Sequence, residues 1–207
     1  MLMKKVFGLL TVVVLLGTTL PAGAAVVTFD DLEGSHTHIP AGYGGFDWSD
    51  NFYYLDGSGS SYTGTGYDIG AVSSPRVAFS AYESAVAVTA ADPFDFNGAY
   101  FTGAWNDGLS IDISGWLDGS LLHSTTVTVN TTAPTWVGLN WTGVDELRFD
   151  SYGGTPNPDI AGKGSGTHFV MDNFTYNGTP SVPVPGAVLL GSLGAGLVSW
   201  LRRRRSL

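Results

Sequence analysis

Leu109-Ser-Ile-Asp-Ile-Ser-Gly-Trp116 and Leu121-Leu-His-Ser-Thr-Thr-Val-Thr-Val129, joined through Asp118-Gly119, decide the fold class. Successive residues of a strand face opposite ways, so Leu109, Ile111 and Ile113 share one face. The three threonines of the second run are β-branched and suit a pleated surface. Asp118-Gly119 offers the positive φ that a tight hairpin turn needs, and Asp107-Gly108 repeats the signal. The same reading extends outward. Val26-Val-Thr-Phe29, Arg76 to Ser80 and Ala85 to Thr89 are short strand patterns. Phe94-Asp-Phe-Asn opens a longer one that runs to Trp105. Trp136 to Trp141, Val144 to Phe149 and Phe169 to Tyr176 close the series. No long window between Ala25 and Gly178 carries a 3.6-residue period. About nine short strands at this spacing predict an all-β fold, a two-layer antiparallel β-sandwich with jelly-roll topology.

Two glycine-rich stretches interrupt the alternation. Gly34 to Tyr67 contains Ile39-Pro-Ala-Gly-Tyr-Gly-Gly-Phe-Asp-Trp48 and Asn51-Phe-Tyr-Tyr54. It reads as a long ordered loop with short strands, packed by its own aromatics. Gly153 to Gly166, with Pro156 and Pro158, reads as a second long loop.

Composition excludes several classes of function. The 207 residues include no Cys, which removes disulfides, thiolate metal sites and a cysteine nucleophile. Lys4 and Lys5 stand at one end of the chain and Arg202 to Arg205 at the other. Between them, Arg76, Arg148 and Lys163 face all 18 carboxylates. A body so acidic repels phosphate backbones, so no nucleic-acid partner is expected.

The two ends read as addresses. Lys4 and Lys5, the apolar stretch Val6 to Leu20 and Ala22-Gly23-Ala24 form a secretory signal peptide over 1–24, with an uncleaved anchor helix as the alternative. The body then occupies 25–178, and 179–207 is a linker and tail. The uncharged run from Val182 to Leu201 has 20 residues. At ~1.5 Å per residue a helix of that length just spans the ~30 Å hydrocarbon core. A transmembrane helix is expected over 186–201, with Arg202, Arg203, Arg204 and Arg205 held on the cytoplasmic side.

The order of short proline motif, glycine-rich apolar helix and terminal arginine cluster resembles the PEP-CTERM sorting signal of exported proteins in Gram-negative bacteria. The proline motif is Val182-Pro183-Val184-Pro185, followed by Gly186. Val184 stands where the commonest motif has Glu, so the match is to the V-P-x-P variant. The resemblance implies recognition by an exosortase, a membrane transpeptidase-like enzyme, and removal of the helix. It further implies placement in the cell envelope, on the outer surface or in the extracellular matrix, with a link to extracellular polysaccharide and biofilm. The body resembles a group of exported proteins that carry this signal. The matching segments are Phe29-Asp-Asp-Leu32, Ile39 to Trp48, Ala104-Trp-Asn-Asp-Gly108, Val144-Asp-Glu-Leu-Arg-Phe149 and His168-Phe-Val-Met-Asp-Asn-Phe174. That resemblance implies an exported β-sandwich and carries no catalytic residues.

Three kinds of site follow from residue chemistry. Asp30, Asp31 and Glu33 end the first strand and Asp172 lies in the last. If the terminal strands pair, these oxygens converge and could partly supply the 6–8 ligands of a structural calcium. Solvated strand-end acids are the plain alternative. His36-Thr-His38 has the spacing of a metal pair but no third ligand.

Carbohydrate binding is the sharper expectation. Trp48, Tyr53 and Tyr54 beside Asn51 combine rings that stack on sugars with an amide that fixes hydroxyls. Trp105, Trp141 and Tyr152, with Asn106 and Asp107, extend the candidates. Tyr43 and Phe46 are expected to pack on the sandwich instead. Catalysis has less support, since no nucleophile elbow, zinc-protease helix or P-loop is present. The expected function is a non-catalytic matrix or glycan-binding module. The alternative is a secreted carbohydrate-active hydrolase using paired carboxylates. Four Asn-x-Ser/Thr triplets, at Asn130, Asn140, Asn173 and Asn177, read as chance in a Thr-rich strand protein.

Overall fold

A computed structural model describes residues 23–178 of the chain. The expected signal peptide up to residue 22 and the whole sorting tail, including Val182 to Gly186 and Arg202 to Arg205, lie outside the described residues. Among the described residues no helix is long and apolar enough to cross a membrane.

The described residues form ten strands, one α-helix of four residues and four single turns of 3-10 helix. In chain order the strands and the α-helix are β1 (Ala25–Val27), β2 (Thr37–His38), β3 (Asp47–Trp48), β4 (Phe52–Asp56), α1 (Gly66–Ile69), β5 (Arg76–Ser80), β6 (Val86–Gly103), β7 (Asn106–Leu117), β8 (Ser120–Val129), β9 (Thr135–Pro156) and β10 (Phe169–Gly178). Every pairing is antiparallel.

The two longest strands belong to both layers of a sandwich-like arrangement. The start of β6 pairs with the later part of β9, Val86 opposite Phe149. The remainder of β6 pairs with the beginning of β9, Phe101 opposite Thr135. One layer therefore runs β3-β6-β9-β7-β8, and the other β2-β4-β5-β10-β6-β9. Between Thr89 and Gly98 the β6–β9 register slips repeatedly. Asp95 Oδ1 accepts the Gly143 amide at 2.9 Å there, which satisfies a donor that the disturbed ladder leaves over. The sequence pattern divides β6 and β9 into separate strands at this bend, and ends β9 before the glycines at 153 and 154. Both instead continue, β9 as far as Pro156.

The faces meet as alternation requires. Leu109, Ile111 and Ile113 are fully buried. The Phe149 ring, from the first layer, lies 6.1 Å from Phe52, 5.9 Å from Phe101 and 5.8 Å from Phe169, all from the second. The β7–β8 hairpin closes on Asp118 and Gly119 with φ of 50° and 73°, the mirror-image turn that matches strand twist. The terminal strands β1 and β10 pair, with Val26 opposite Thr175.

Candidate functional site: an aromatic cavity on the second layer

Strands β4, β5 and β10 are buried on both faces. Phe52, Tyr54, Ala78, Phe169 and Met171 point into the main core. Their alternates Leu55, Val77, Phe79 and Val170 belong to a second apolar cluster on the outer face, with Tyr53 packed against it. Continuous apolar runs are what two covered faces demand. The cover comes from two loop segments. One is the stretch around the single helical turn Ser60–Tyr62 and α1, which carries Tyr62 and Tyr67. The other is the stretch from Pro158 to Ser165, which carries Ile160.

Glycine permits both covers to dock. A methyl group on Gly66 would lie 1.8 Å from the Gly103 carbonyl oxygen, and the Gly66 amide donates to the Ala104 carbonyl at 3.1 Å. A methyl group on Gly164 would lie 2.3 Å from Trp105 Cζ2, so the second segment passes directly over the indole. The Lys163 ammonium donates to the Thr63 carbonyl and ties the two covers together.

Between them opens a cavity of about 430 Å³. That lies within the roughly 300–1,000 Å³ of small-molecule sites. Its walls are rings set edge to face. Tyr67 meets Trp105 at 5.4 Å and 75°, Phe79 at 5.3 Å and 85°, and Tyr62 at 5.2 Å and 65°. Tyr53 meets Tyr82 at 5.7 Å and 86°.

The polar groups are few and fixed. The Tyr53 and Tyr82 hydroxyls are 3.4 Å apart. The Tyr62 hydroxyl lies 2.7 Å from His36 Nε2. His168 Nδ1 stands 2.6 Å from the Ser80 carbonyl, which only accepts, so Nδ1 carries a proton and Nε2 is the ring nitrogen left for a ligand. Three of the tyrosines hold their protons more tightly than a free phenol. The hydrogen bond with Tyr82, followed by burial, raises Tyr53 above the ordinary phenol value; burial raises Tyr62 and Tyr67.

At the mouth, Tyr82 and Glu83 are successive left-handed residues, with φ of 58° and 53°. Such conformations cost of order 1–3 kcal/mol in non-glycine residues and gather at functional positions. The Tyr82 side chain is 70% exposed, an uncommon state for a ring of that size.

The residues expected from sequence part company here. Tyr53 reaches the cavity. Trp48 and Tyr54 do not. Trp48 is 7% exposed, its Nε1 donates to the Tyr43 carbonyl at 2.9 Å, and four phenylalanines surround it. Tyr54 points inward and its hydroxyl donates to the Glu33 carbonyl. Both are core residues, because β3 and β4 turn these alternate positions toward the first layer. Asn51 is half-buried and its carbonyl accepts the Ala81 amide at 2.9 Å, which anchors the turn that displays Tyr82. Phe46 is buried in the core as expected, and Tyr43 packs against it.

Trp105 lines the cavity wall, while Trp141 stacks on His123 at 5.2 Å and Tyr152 donates to Asp112 Oδ1 on the first layer. Asn106 and Asp107 serve the backbone: Asn106 Nδ2 donates to the Gly153 carbonyl and Asp107 Oδ1 accepts from the Thr131 amide. Tyr62 and Tyr82 were missed by sequence reasoning. No local pattern distinguishes them from ordinary loop tyrosines.

Of the four carboxylates considered for calcium, those of Asp30, Asp31 and Asp172 take other partners. Asp30 Oδ1 accepts the Arg76 amide at 3.0 Å, and Asp31 Oδ1 accepts the Tyr43 hydroxyl at 2.5 Å. Glu33 contributes its carbonyl to Tyr54. Asp172 is fully buried and accepts the Ser73 amide at 2.7 Å, the Ser73 hydroxyl at 3.0 Å and the Asn173 amide at 2.6 Å. Burial pushes its carboxyl up to about 7, against the pull of those hydrogen bonds. Among the described residues no three His, Cys, Asp or Glu side chains form a group able to hold a metal ion, and this includes His36 and His38. His36 turns to Tyr62 while His38 lies against the Tyr53 ring at 6.4 Å.

No family model matches the sequence, and no curated protein matches it. Among solved structures, the chain is similar to the carbohydrate-binding module TmCBM61 in complex with β-1,4-galactotriose. The TM-score is 0.37 and the identity 10%, over 69% of this chain and 99% of that one. A likeness at that level says nothing about what this chain binds.

Proposed function

We propose that the chain is a non-catalytic, carbohydrate-binding β-sandwich that works outside the cell. The observation that carries this reading is the ring-walled cavity of about 430 Å³ with sparse, fixed hydrogen-bonding groups. Sugar rings present apolar C–H faces and a rim of hydroxyls. Aromatic walls take the faces, and Tyr53, Tyr62, His36 and His168 meet the hydroxyls. Hydrolysis by two facing carboxylates is disfavoured, because no Asp or Glu is among the residues that line the cavity.

The rest of the reading concerns topology and destination. Pairing of the terminal strands supports a jelly-roll order. The signal peptide, the Val182-Pro-Val-Pro185 motif and the arginine cluster support export and processing by an exosortase-type enzyme, with extracellular polysaccharide as partner.

The test is affinity electrophoresis of the purified full-length chain through gels containing soluble polysaccharides. Tyr82→Ala weakens retention by about 1 kcal/mol or more, the scale of a lost ring contact. Tyr152→Ala, on the other layer, leaves it unchanged. Equal retention of the folded Tyr82→Ala and Tyr62→Ala variants on every retaining polysaccharide overturns the assignment of the cavity.

A further inference from the structure

We infer that the cavity selects a glycan bearing a free amino group, as its ammonium ion, over the N-acetylated or unsubstituted counterpart. This rests on the carbohydrate reading of the same cavity and adds the charge class of its ligand.

Three independent observations point to a cation. The first is the wall itself. Six aromatic side chains line the cavity, and neither Lys nor Arg is among its lining residues. Ring faces carry the negative side of the aromatic quadrupole and attract a cation within about 6 Å of the centroid. Tyr53, Tyr62 and Tyr82 are the rings of this wall that remain accessible, with Tyr53 standing at 86° to Tyr82. Because Tyr53, Tyr62 and Tyr67 hold their protons more tightly than a free phenol, they offer hydroxyl groups and no negative charge.

The second observation is the placement of the nearest carboxylate. A methyl group on Gly166 would lie 2.8 Å from Glu83 Oε1 and 3.0 Å from His168 Nε2. One point therefore touches both the carboxylate and a residue of the cavity lining. Glu83 is exposed and has no basic partner among the described residues; its other oxygen lies 3.5 Å from the Thr167 hydroxyl. The strained Tyr82–Glu83 pair thus presents a ring and an uncompensated negative charge side by side at the mouth. An ammonium group held there meets both, while the sugar carrying it enters among the rings.

The third is the field of the body. With 18 carboxylates against Arg76, Arg148 and Lys163, the domain draws cationic glycans inward and repels uronic acids. This long-range term favours any cation. The rim geometry makes the preference local, and the two respond differently to mutation.

Isothermal titration of the full-length chain compares three probes: a tetramer of β-1,4-linked glucosamine with its amines charged, its N-acetylated counterpart, and the corresponding glucose tetramer. The amino tetramer is expected to bind about tenfold more tightly than either neutral probe, the combined scale of a cation–π contact and a rim charge pair. Glu83→Gln removes the charge at an exposed position and reduces that advantage by about threefold, with no change for the neutral probes. Tyr82→Ala weakens all three. Neutral tetramers that bind as tightly as the amino tetramer overturn the charge preference and leave carbohydrate binding standing. An amino preference that stays at its full size in Glu83→Gln assigns it to the overall field and overturns the rim assignment. A chain that binds none of these probes, and is retained by no polysaccharide gel, overturns the carbohydrate reading itself.

Discussion

Replacing Trp48 with alanine is expected to damage the fold rather than the site. The indole is 7% exposed and has four ring neighbours: Phe29 at 5.5 Å, Phe46 at 6.2 Å, Phe52 at 5.0 Å and Phe174 at 5.6 Å. These come from four separate parts of the chain, so the side chain joins the early loop to β4 and β10. Truncating a buried aromatic costs about 3–5 kcal/mol, and more where the surroundings cannot collapse. The lost Nε1 donor to the half-buried Tyr43 carbonyl adds about 1 kcal/mol. A total of about 4–6 kcal/mol is a large share of the roughly 5–15 kcal/mol that holds a domain together. For a body of this size each 1 kcal/mol moves the midpoint by about 2–4 °C, so the loss is about 10–20 °C. Near-ultraviolet circular dichroism during heating reads it directly. Trp48→Phe, which keeps most of the volume and loses the donor, falls between. A Trp48→Ala midpoint within about 2 °C of the parent, with weaker polysaccharide retention, would refute the core assignment and restore Trp48 to the ligand surface.

Two further outcomes are expected. The Asp172 carboxyl titrates near 7 when folded and near its ordinary 3.8 when unfolded, so the folded state holds the proton more tightly. Its stabilising contribution is full below about 3.8 and disappears as pH rises through about 7, which makes the domain more stable at pH 5 than at pH 8 by about 2–3 kcal/mol from this group. Urea midpoints at the two pH values measure the difference, and a difference of the same size in Asp172→Asn removes Asp172 as its source. Deleting Arg202 to Arg205 is expected to impair retention at the membrane and processing of the tail, if the cluster acts as the stop signal its position suggests. Localisation and mature mass identical to the parent would count against it.

The main core was legible in the sequence because alternation reports one buried face directly. Leu109, Ile111 and Ile113 lie where their spacing puts them, and the Asp118-Gly119 turn has the φ values its residues favour. The candidate site was less legible for a specific reason. In Phe52-Tyr-Tyr-Leu-Asp56 both alternating sets are apolar, so the pattern cannot say which tyrosine faces which layer. The answer depends on whether a distant segment covers the outer face. Tyr62 and Tyr67 supply that cover, from a stretch whose composition reads as loop. Tyr82 is harder still. Nothing in Ser80-Ala-Tyr-Glu-Ser84 signals two left-handed residues, because L side chains disfavour that region and the fold alone imposes it.

The cavity's location separates recognition from folding. Its floor is Phe79 and Tyr53, on strands that the main core fixes from the other side. Its walls, Tyr62 and the loop over Trp105, add to the second cluster without entering the first. A floor held by the sandwich does not have to be ordered when a ligand arrives, which spares the entropy that a free loop would lose on binding. The walls are tied to each other through Lys163 and Thr63 and to the sheet through the close approach of Gly66 to Gly103 and the buried Tyr67 and Ile160 side chains. Substitutions at the mouth therefore change affinity with little change in stability, whereas substitutions such as Trp48→Ala do the reverse. The two layers of aromatics look alike in sequence, but one is core and the other lines the cavity, and these opposite responses are what distinguish them.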